Sequence, residues 1–238
     1  MILAKKISSN TFWSIKMTDL NENQKTLIKL LSISPLAEKF YLTGGTALSA
    51  FYLHHRLSID LDFFSDEPFS YDELTTFLNT IKERFNLKEI PAVKIFDRWQ
   101  FAIEGKEQVK IEFVYFNHEK KRLKTLEKHM NIFVDSLDDI AANKTLAYFD
   151  RNEPKDLFDL YYLINKSGFS VSSLLQMVKD KFGIKFSEFS FWGESTKSLK
   201  LLNSLKPLII EKKSEALIEK INTFFLEEGR KSLAKNLE

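Results

Sequence analysis

The sequence predicts an α+β protein: a mixed β-sheet with flanking helices in residues 1–120, followed by an all-helical half in residues 121–238. Two patterns support this division. Runs of β-branched and aromatic residues with strand-like alternation end near residue 116. From residue 136 onward, apolar residues instead recur at the spacing of amphipathic helices. The character of the chain changes after His118, so we place the boundary within residues 117–135.

The same patterns predict the individual elements. In the first half we expect helices at residues 22–32 and 71–85, a helix capped by Thr46 that runs to residue 53, and strands at residues 40–42, 59–64, 93–96, 99–104 and 109–116. Gly105 is expected to join the last two strands. In the second half we expect helices at residues 136–150, 155–164, 171–181, 196–205 and 207–226. Pro154 and Pro207 stand near helix starts, where proline is tolerated.

Composition excludes several classes of protein. The chain has 238 residues, of which 44% are hydrophobic and 29% charged, as in ordinary globular proteins. It has no cysteine, so disulfides and thiolate zinc sites are ruled out. No apolar run approaches the roughly 20 residues that span a bilayer, and the first residues lack a signal-peptide pattern. We therefore expect a cytoplasmic protein without a membrane partner.

Two aspartates, Asp60 and Asp62, are the first candidate ligands. Alternation along a strand puts both on one face, with apolar Leu61 and Phe63 on the other. Two carboxylates roughly 7 Å apart repel each other and remain ionised comfortably only with a cation between them. Magnesium is the expected ion, because it prefers one or two carboxylates together with substrate phosphates.

Gly44 and Gly45 precede this strand by about fifteen residues and lead into a helix. Glycines allow a backbone to approach a phosphate closely, and a helix N-terminus offers free N–H groups. A tight turn beside a solvent-facing acid pair is the alternative interpretation of each feature alone. Their order, with strand, glycine turn, helix and Asp-x-Asp strand, favours a triphosphate and metal site.

These residues resemble a known family. Residues 42–48, LTGGTAL, followed by HR-x-S-x-D-x-DFF at residues 55–64, are similar to the AbiEii/AbiGii toxin family of nucleotidyltransferase-like proteins in the DNA polymerase β superfamily. The resemblance implies an N-terminal nucleotidyltransferase fold, a helical second half, and transfer of nucleotides from NTPs, in some relatives to tRNA 3′ ends. It also implies an antitoxin partner.

A second motif, K-x-x-A-x-x-x-R-x-x-x-KDL-x-DL at residues 144–160, continues the resemblance. Lys144 and Arg151 are about two helical turns apart and share a face, as do Asp156 and Asp159. Composition alone favours a helix surface with ordinary ion pairs. The resemblance instead implies that Lys144 contacts the phosphates and that Asp156 or Asp159 completes the catalytic centre, and the sequence does not choose between these two acids.

Glu112 is the candidate for a third metal-binding carboxylate. It stands on a later strand, on the face opposite Ile111 and Phe113. The wider superfamily often supplies a third acid from such a strand. The alternative is an ion pair between Glu112 and Lys110 or Arg98.

The sequence thus predicts magnesium-dependent transfer of a nucleoside monophosphate from an NTP to an RNA acceptor, with tRNA favoured by the resemblance alone. Residues 121–238 carry 20 Lys and Arg against 17 Asp and Glu, which gives only weak support for a polyanionic partner. We expect the nucleotide to be bound by Gly44, Gly45, Thr46, Arg56, Ser58, Lys144 and Arg151. His55 and Arg56 could instead orient the loop that carries Ser58, or favour a helix C-terminus. The alternatives are AMP transfer to a protein hydroxyl and a non-catalytic nucleotide-binding module.

Overall fold

A seven-stranded mixed sheet forms the framework of the first part of the chain. The computed structural model of the protein describes residues 19–104, 107–116 and 122–235. The strands are β1 (Tyr41–Thr43), β2 (Asp60–Ser65), β3 (Ala92–Ile95), β4 (Arg98–Ile103), β5 (Val109–Tyr115), β6 (Glu127–His129) and β7 (Ile132–Val134). Their order across the sheet is β3-β4-β5-β2-β1-β7-β6. The pairs β2–β5 and β1–β7 are parallel, and the other neighbours are antiparallel.

Helices flank the sheet and make up the second part of the chain. The α-helices are α1 (Glu22–Ser32), α2 (Gly44–Ala47), α3 (Tyr71–Phe85), α4 (Leu137–Arg151), α5 (Pro154–Asn165), α6 (Val171–Phe182), α7 (Glu188–Leu199) and α8 (Ser214–Lys235). A π-helical segment, Leu48–Leu53, continues α2, and 3₁₀-helices cover Pro35–Glu38 and Leu202–Leu208. Reciprocal capping boxes begin α1, with Asn21 and Gln24, and α3, with Ser70 and Glu73.

The two faces of the sheet differ in chemistry. Leu61 and Phe63 of β2 are fully buried, and Phe63 stacks on Phe113 of β5 at a ring separation of 5.5 Å. Phe77 of α3 meets the same Phe113 ring edge-on, so α3 covers this apolar face. Asp60 and Asp62 alternate onto the opposite, polar face.

The helical half reaches back to the loop that precedes β2. The backbone N–H of Leu57 donates to the carbonyl of Leu208 at 2.7 Å, and Arg56 forms an isolated antiparallel bridge with Ile209. This segment therefore holds the approach to the Asp-x-Asp strand in place.

The predicted fold class is confirmed, and α1 and α3 have the bounds that the sequence predicts. The sheet, however, extends past residue 120, because the β6–β7 hairpin adds two strands to it. Two strands of three residues are too short to show alternation in the sequence. Their turn residues, Met130 and Asn131, both have positive φ, as a type I′ hairpin requires.

The prediction that Thr46 caps a helix is wrong. The helix begins directly after β1 at Gly44, whose φ of 73° lies in the left-handed region. The hydroxyl of Thr46 donates instead to the backbone carbonyl of Asp60. Thr46 is thus a buried link between α2 and the start of β2.

The last two helices also begin elsewhere than predicted. Helix α7 starts at Glu188, because Ser187 caps it through the Ser190 N–H. Pro207 lies inside a 3₁₀-helix, and α8 begins only at Ser214. A proline permits a helix start but does not require one. Gly105, predicted to join β4 and β5, lies outside the described residues.

Candidate active site

A row of polar side chains crosses the polar face of the sheet. The strand register places Thr43 of β1 opposite Asp62, Asp62 opposite Glu112 of β5, and Glu112 opposite Gln100 of β4. Residues directly opposite each other point to the same face. Asp62 therefore belongs to a longer polar row, which only the pairing of strands distant in sequence creates. We call Asp62 and Glu112, together with Asp60 on the same face of β2, the acid row.

Asp62 is the least compensated charge in this row. Burial and then the negative charges of Glu112 and Asp60 raise the pKa of Asp62 to about 6. Within the described ranges, no residue donates a hydrogen bond to its carboxylate. A positive ion beside Asp62 would offset both the cost of desolvating its charge and the repulsion from the other acids.

Glu112 has partners of its own. Its carboxylate accepts hydrogen bonds from Gln100 at 2.7 Å and Lys110 at 2.8 Å, and Arg98 lies 3.4 Å away. Among the described residues, no group of three or more His, Asp or Glu is arranged to hold a metal ion. The geometry therefore shows the ion pairs of the alternative interpretation of Glu112, and its role as a third ligand stays a prediction.

The remaining pair, Asp60 and Asp62, still fits a magnesium ion. Both offer carboxylate oxygens, the Asp60 side chain is 32% exposed, and magnesium often takes only one or two protein carboxylates and completes its shell with water and phosphate.

The two glycines are required by the packing of the site itself. A Cβ added to Gly44 would lie within 3.0 Å of Asp62 Oδ2, and its positive φ would strain any other residue. A Cβ on Gly45 would lie 2.7 Å from Arg56 Nη2 and 3.1 Å from Ser58 Oγ. The glycine turn thus lies against an acid on one side and against a cation on the other.

A buried ion network joins the loop before β2 to the helical half. Asp159 of α5 accepts two hydrogen bonds from Arg56, at 2.6 and 2.8 Å, and forms an ion pair with Lys144 at 2.7 Å. His55 donates through Nε2 to the same carboxylate at 2.7 Å. Burial lowers the pKa of His55, although Asp159 opposes that shift, so the imidazole is neutral.

The second acid of this network is Asp156. It accepts two hydrogen bonds from Arg151, at 2.7 and 2.9 Å, and one from Lys144 at 3.2 Å. Although burial would raise both pKa values, the neighbouring cations hold the pKa of Asp156 below its usual value and that of Asp159 well below. Both carboxylates are ionised, and both side chains are fully buried.

The structure therefore brings the two predicted motifs together, but gives their members different surroundings. Asp156 and Asp159 are buried against cations, and their predicted catalytic role stays a prediction. Arg56 is also buried, and its guanidinium donates hydrogen bonds to Asp159 and, through Nη1, to the carbonyl of Leu57 at 3.1 Å. Arg151 differs from these, because its side chain is 45% exposed.

Electrostatic contact links the network to the acid row. The positive charge of Lys144 lowers the pKa of Asp62, against the larger raising effects. The charge of Asp62 in turn contributes to the raised pKa of Arg151, whose main cause is the hydrogen bond to Asp156. The acids of the sheet and the cations of the helical half are thus near enough to influence each other electrostatically.

Asp135 is a buried acid beside the polar row that the sequence did not indicate. It follows β7 and accepts hydrogen bonds from Thr43 at 3.0 Å, and from Asn143 and Arg122 at 3.3 Å each. Burial is the main cause that raises its pKa to about 6. No motif signals it, because the parallel β1–β7 pairing alone brings it beside Thr43.

Solved structures share this fold. The crystal structure of JHP933 from Helicobacter pylori matches with a TM-score of 0.55 and 22% identity, over 91% of this chain and 95% of that one. A proposed nucleotidyltransferase from H. pylori matches with a TM-score of 0.56 and 20% identity, over 89% of this chain and 98% of its own. The fold is therefore that of nucleotidyltransferase-like proteins.

Sequence comparison identifies the family. The model of the family described as nucleotidyl transferase AbiEii toxin, type IV toxin–antitoxin system, matches residues 25–232. The uncharacterized protein aq_aa25 of Aquifex aeolicus (strain VF5) is 32% identical over 171 residues, which are 70% of this chain and 77% of that protein. The chain belongs to the AbiEii family of nucleotidyltransferase toxins, as the two motifs predict. In the described part of the chain, no helix is long and apolar enough to cross a membrane.

Proposed function

We propose that this protein transfers a nucleoside monophosphate from a nucleoside triphosphate to an RNA 3′ hydroxyl, with tRNA as the leading acceptor, and that the reaction depends on magnesium. The observation that carries the proposal is the surroundings of Asp62. This half-buried acid has no hydrogen-bond donor among the described residues, lies against the Gly44 turn and is within electrostatic reach of Lys144. Asp62 has no hydrogen-bonded cation of its own, and cations that could hold phosphate lie nearby. A metal ion bound together with a triphosphate would complete this arrangement.

Asp60 and Asp62 would hold the magnesium ion, which when bound neutralises phosphate charge and polarises the phosphorus that is attacked. Glu112 would remain paired with Lys110 and Gln100, at the edge of the ion site.

The triphosphate would be bound on the side of the glycine turn. Gly44 and Gly45 present backbone without side chains there, and Ser58 lies beside Gly45. Arg151 has a half-exposed guanidinium whose planar fork suits phosphate, whereas Lys144 acts as a fixed positive charge. Asp156, Asp159 and Arg56 are positioning residues, because they hold these cations and the glycine turn in place.

In the reaction, the acceptor hydroxyl oxygen would form a bond to the α-phosphorus, and the bond from that phosphorus to the bridging oxygen would break. Pyrophosphate would leave, and the hydroxyl proton would pass to solvent. An RNA acceptor is favoured by the family resemblance. Family membership also leads us to expect an antitoxin protein that suppresses toxicity.

The proposal is tested by incubating the purified protein and magnesium with each α-labelled NTP in turn, with and without bulk tRNA. Asp62→Asn is the inactive variant, and Asp72→Asn, a change of the same kind at an exposed position on α3, is the matched control. We expect label in tRNA with the wild type and the control, and none with Asp62→Asn. Label in protein would favour AMP transfer to a protein hydroxyl, and reversible binding without transfer would favour a nucleotide-binding module.

Toxicity is tested by induced expression of the same variants in bacteria, with the tRNA 3′ ends sequenced. Growth arrest with extended 3′ ends is expected for the wild type and Asp72→Asn. Arrest by Asp62→Asn as well would argue against a catalytic cause.

A further inference from the structure

Lys110 lies beside the proposed metal ligands, yet it belongs to neither sequence motif. The strand register sets it opposite Asp60, and its position two residues before Glu112 puts both side chains on the polar face. Its amino group is 2.8 Å from Glu112 Oε1 and 3.4 Å from Asp60 Oδ2. Lys110 therefore bridges one proposed metal ligand and the neighbouring acid.

The amino group of Lys110 lies where it would repel a divalent cation bound to Asp60. The ammonium of Lys110 and a dication held by Asp60 would be like charges a few ångströms apart, and such repulsion is substantial near a protein surface. Either the metal binds weakly or the lysine moves away.

Lys110 is free to move in a way that Lys144 is not. Its side chain is 42% exposed, whereas that of Lys144 is 7% exposed and holds two buried carboxylates. A lysine stem has many rotamers, so the amino group of Lys110 could leave Asp60 and still reach an anion nearby.

We propose that Lys110 is a resident counter-cation of the acid row: it competes with the divalent ion for Asp60 and turns to a nucleotide phosphate when metal and triphosphate enter together. This inference rests on the proposed function and assigns the order of loading at the same site. The free protein would bind the metal weakly, and the metal–nucleotide complex would bind well because its phosphates provide a new partner for the lysine.

The test measures the affinity for Mn²⁺ by electron paramagnetic resonance, with no nucleotide present. The variants are Lys110→Met and the control Lys206→Met, which removes a lysine that is 38% exposed and paired with Glu215. Removal of the competing charge should tighten Mn²⁺ binding about tenfold in Lys110→Met. Lys206→Met should match the wild type.

A second measurement uses a non-hydrolysable NTP analogue with saturating Mn²⁺. Here Lys110→Met should bind the analogue about three- to tenfold more weakly than the wild type, because a phosphate contact is lost. The two opposite shifts in one variant distinguish a moving counter-ion from a merely structural lysine.

Equal Mn²⁺ affinity in Lys110→Met and the wild type would overturn this inference and leave the proposed function in place. Weaker Mn²⁺ binding in Lys110→Met would also overturn it. Absence of Mn²⁺ binding by every variant, with and without the analogue, would overturn both this inference and the metal-dependent function. The melting temperature of each variant shows that it is folded.

Discussion

The acid row of the sheet and the ion network of the helical half differ in how fully their carboxylates are paired with positive charges. In the network, Asp156 and Asp159 are fully buried, and each accepts hydrogen bonds or ion pairs from at least two positively charged side chains. In the row, Asp62 has a raised pKa and receives no hydrogen bond from the described residues. The acids of the network are therefore paired within the protein, whereas Asp62 is only partly compensated, by the charges of Lys110 and Lys144, and we propose that it binds a ligand.

The largest effect we expect is on transfer, from a change in the row. Asp62→Asn should lower the rate of nucleotidyl transfer about a thousandfold or more, because metal-assisted charge stabilisation contributes several kcal/mol. Its free energy of unfolding should be unchanged or higher, since a half-buried charge that Glu112 and Asp60 repel is removed. Labelled-NTP assays and urea denaturation measure the two quantities. If Asp62→Asn lost as much stability as a variant of the ion network, the carboxylates of the acid row would stabilise the fold as those of the network do.

A change in the network should act on the fold. Asp159→Asn leaves Arg56 and Lys144 buried without their main counter-ion, and we expect it to lower the free energy of unfolding by about 3–5 kcal/mol. Asp150→Asn is the control, because Asp150 is exposed on α4 and should change stability by less than about 0.5 kcal/mol. Urea denaturation followed by circular dichroism gives both values. If Asp159→Asn is as stable as Asp150→Asn, the network does not hold the halves together.

The glycine turn links the two regions, and its substitution should have an intermediate effect. Gly44→Ala adds both left-handed strain and a collision with Asp62, whereas Gly168→Ala, at φ 77°, adds the strain but meets no atom within 4 Å. Strain alone costs about 1–2 kcal/mol. The collision should add about 1–3 kcal/mol in Gly44→Ala. Equal losses of stability in the two variants would mean that Asp62 does not lie against the turn.

The smallest effect concerns pH and Asp135. The pKa of Asp135 in the folded protein, about 6, lies above the ordinary aspartate value of 3.8, so the folded state binds this proton more tightly than the unfolded chain does. The stability that Asp135 contributes is therefore present at low pH and is lost as pH rises from about 4 to about 6. As pH rises over that window, the free energy of unfolding should fall by about 1–2 kcal/mol less in Asp135→Asn than in the wild type. Parallel curves of unfolding free energy against pH for the two proteins would contradict this assignment.

The sequence went far towards the site because the decisive features are local. The alternation around Asp60 and Asp62 sets their face, and the adjacent glycines indicate a turn before a helix, so the acid pair and the turn needed no long-range information. The family resemblance extended this to the second motif, and the family match over residues 25–232 agrees with it.

Tertiary structure decided which charged residues are partners. Asp159 meets Arg56 across 103 positions of the chain, and Glu112 meets Gln100 and Lys110 through strand register. Composition favoured ordinary surface ion pairs for Asp156 and Asp159, yet both are buried, because two halves of the chain close over them.

What the sequence determined by itself was therefore the periodicity of each element, the polar face of β2 and the class of chemistry that its acids suit. What only the tertiary structure decided was which carboxylates are paired with cations of the protein and which receive no hydrogen bond from the described residues. The physical reason is that a charge's cost depends on its surroundings: burial and distant partners set the pKa of Asp62 and of Asp159 in opposite directions, and neither is visible from neighbours in the sequence.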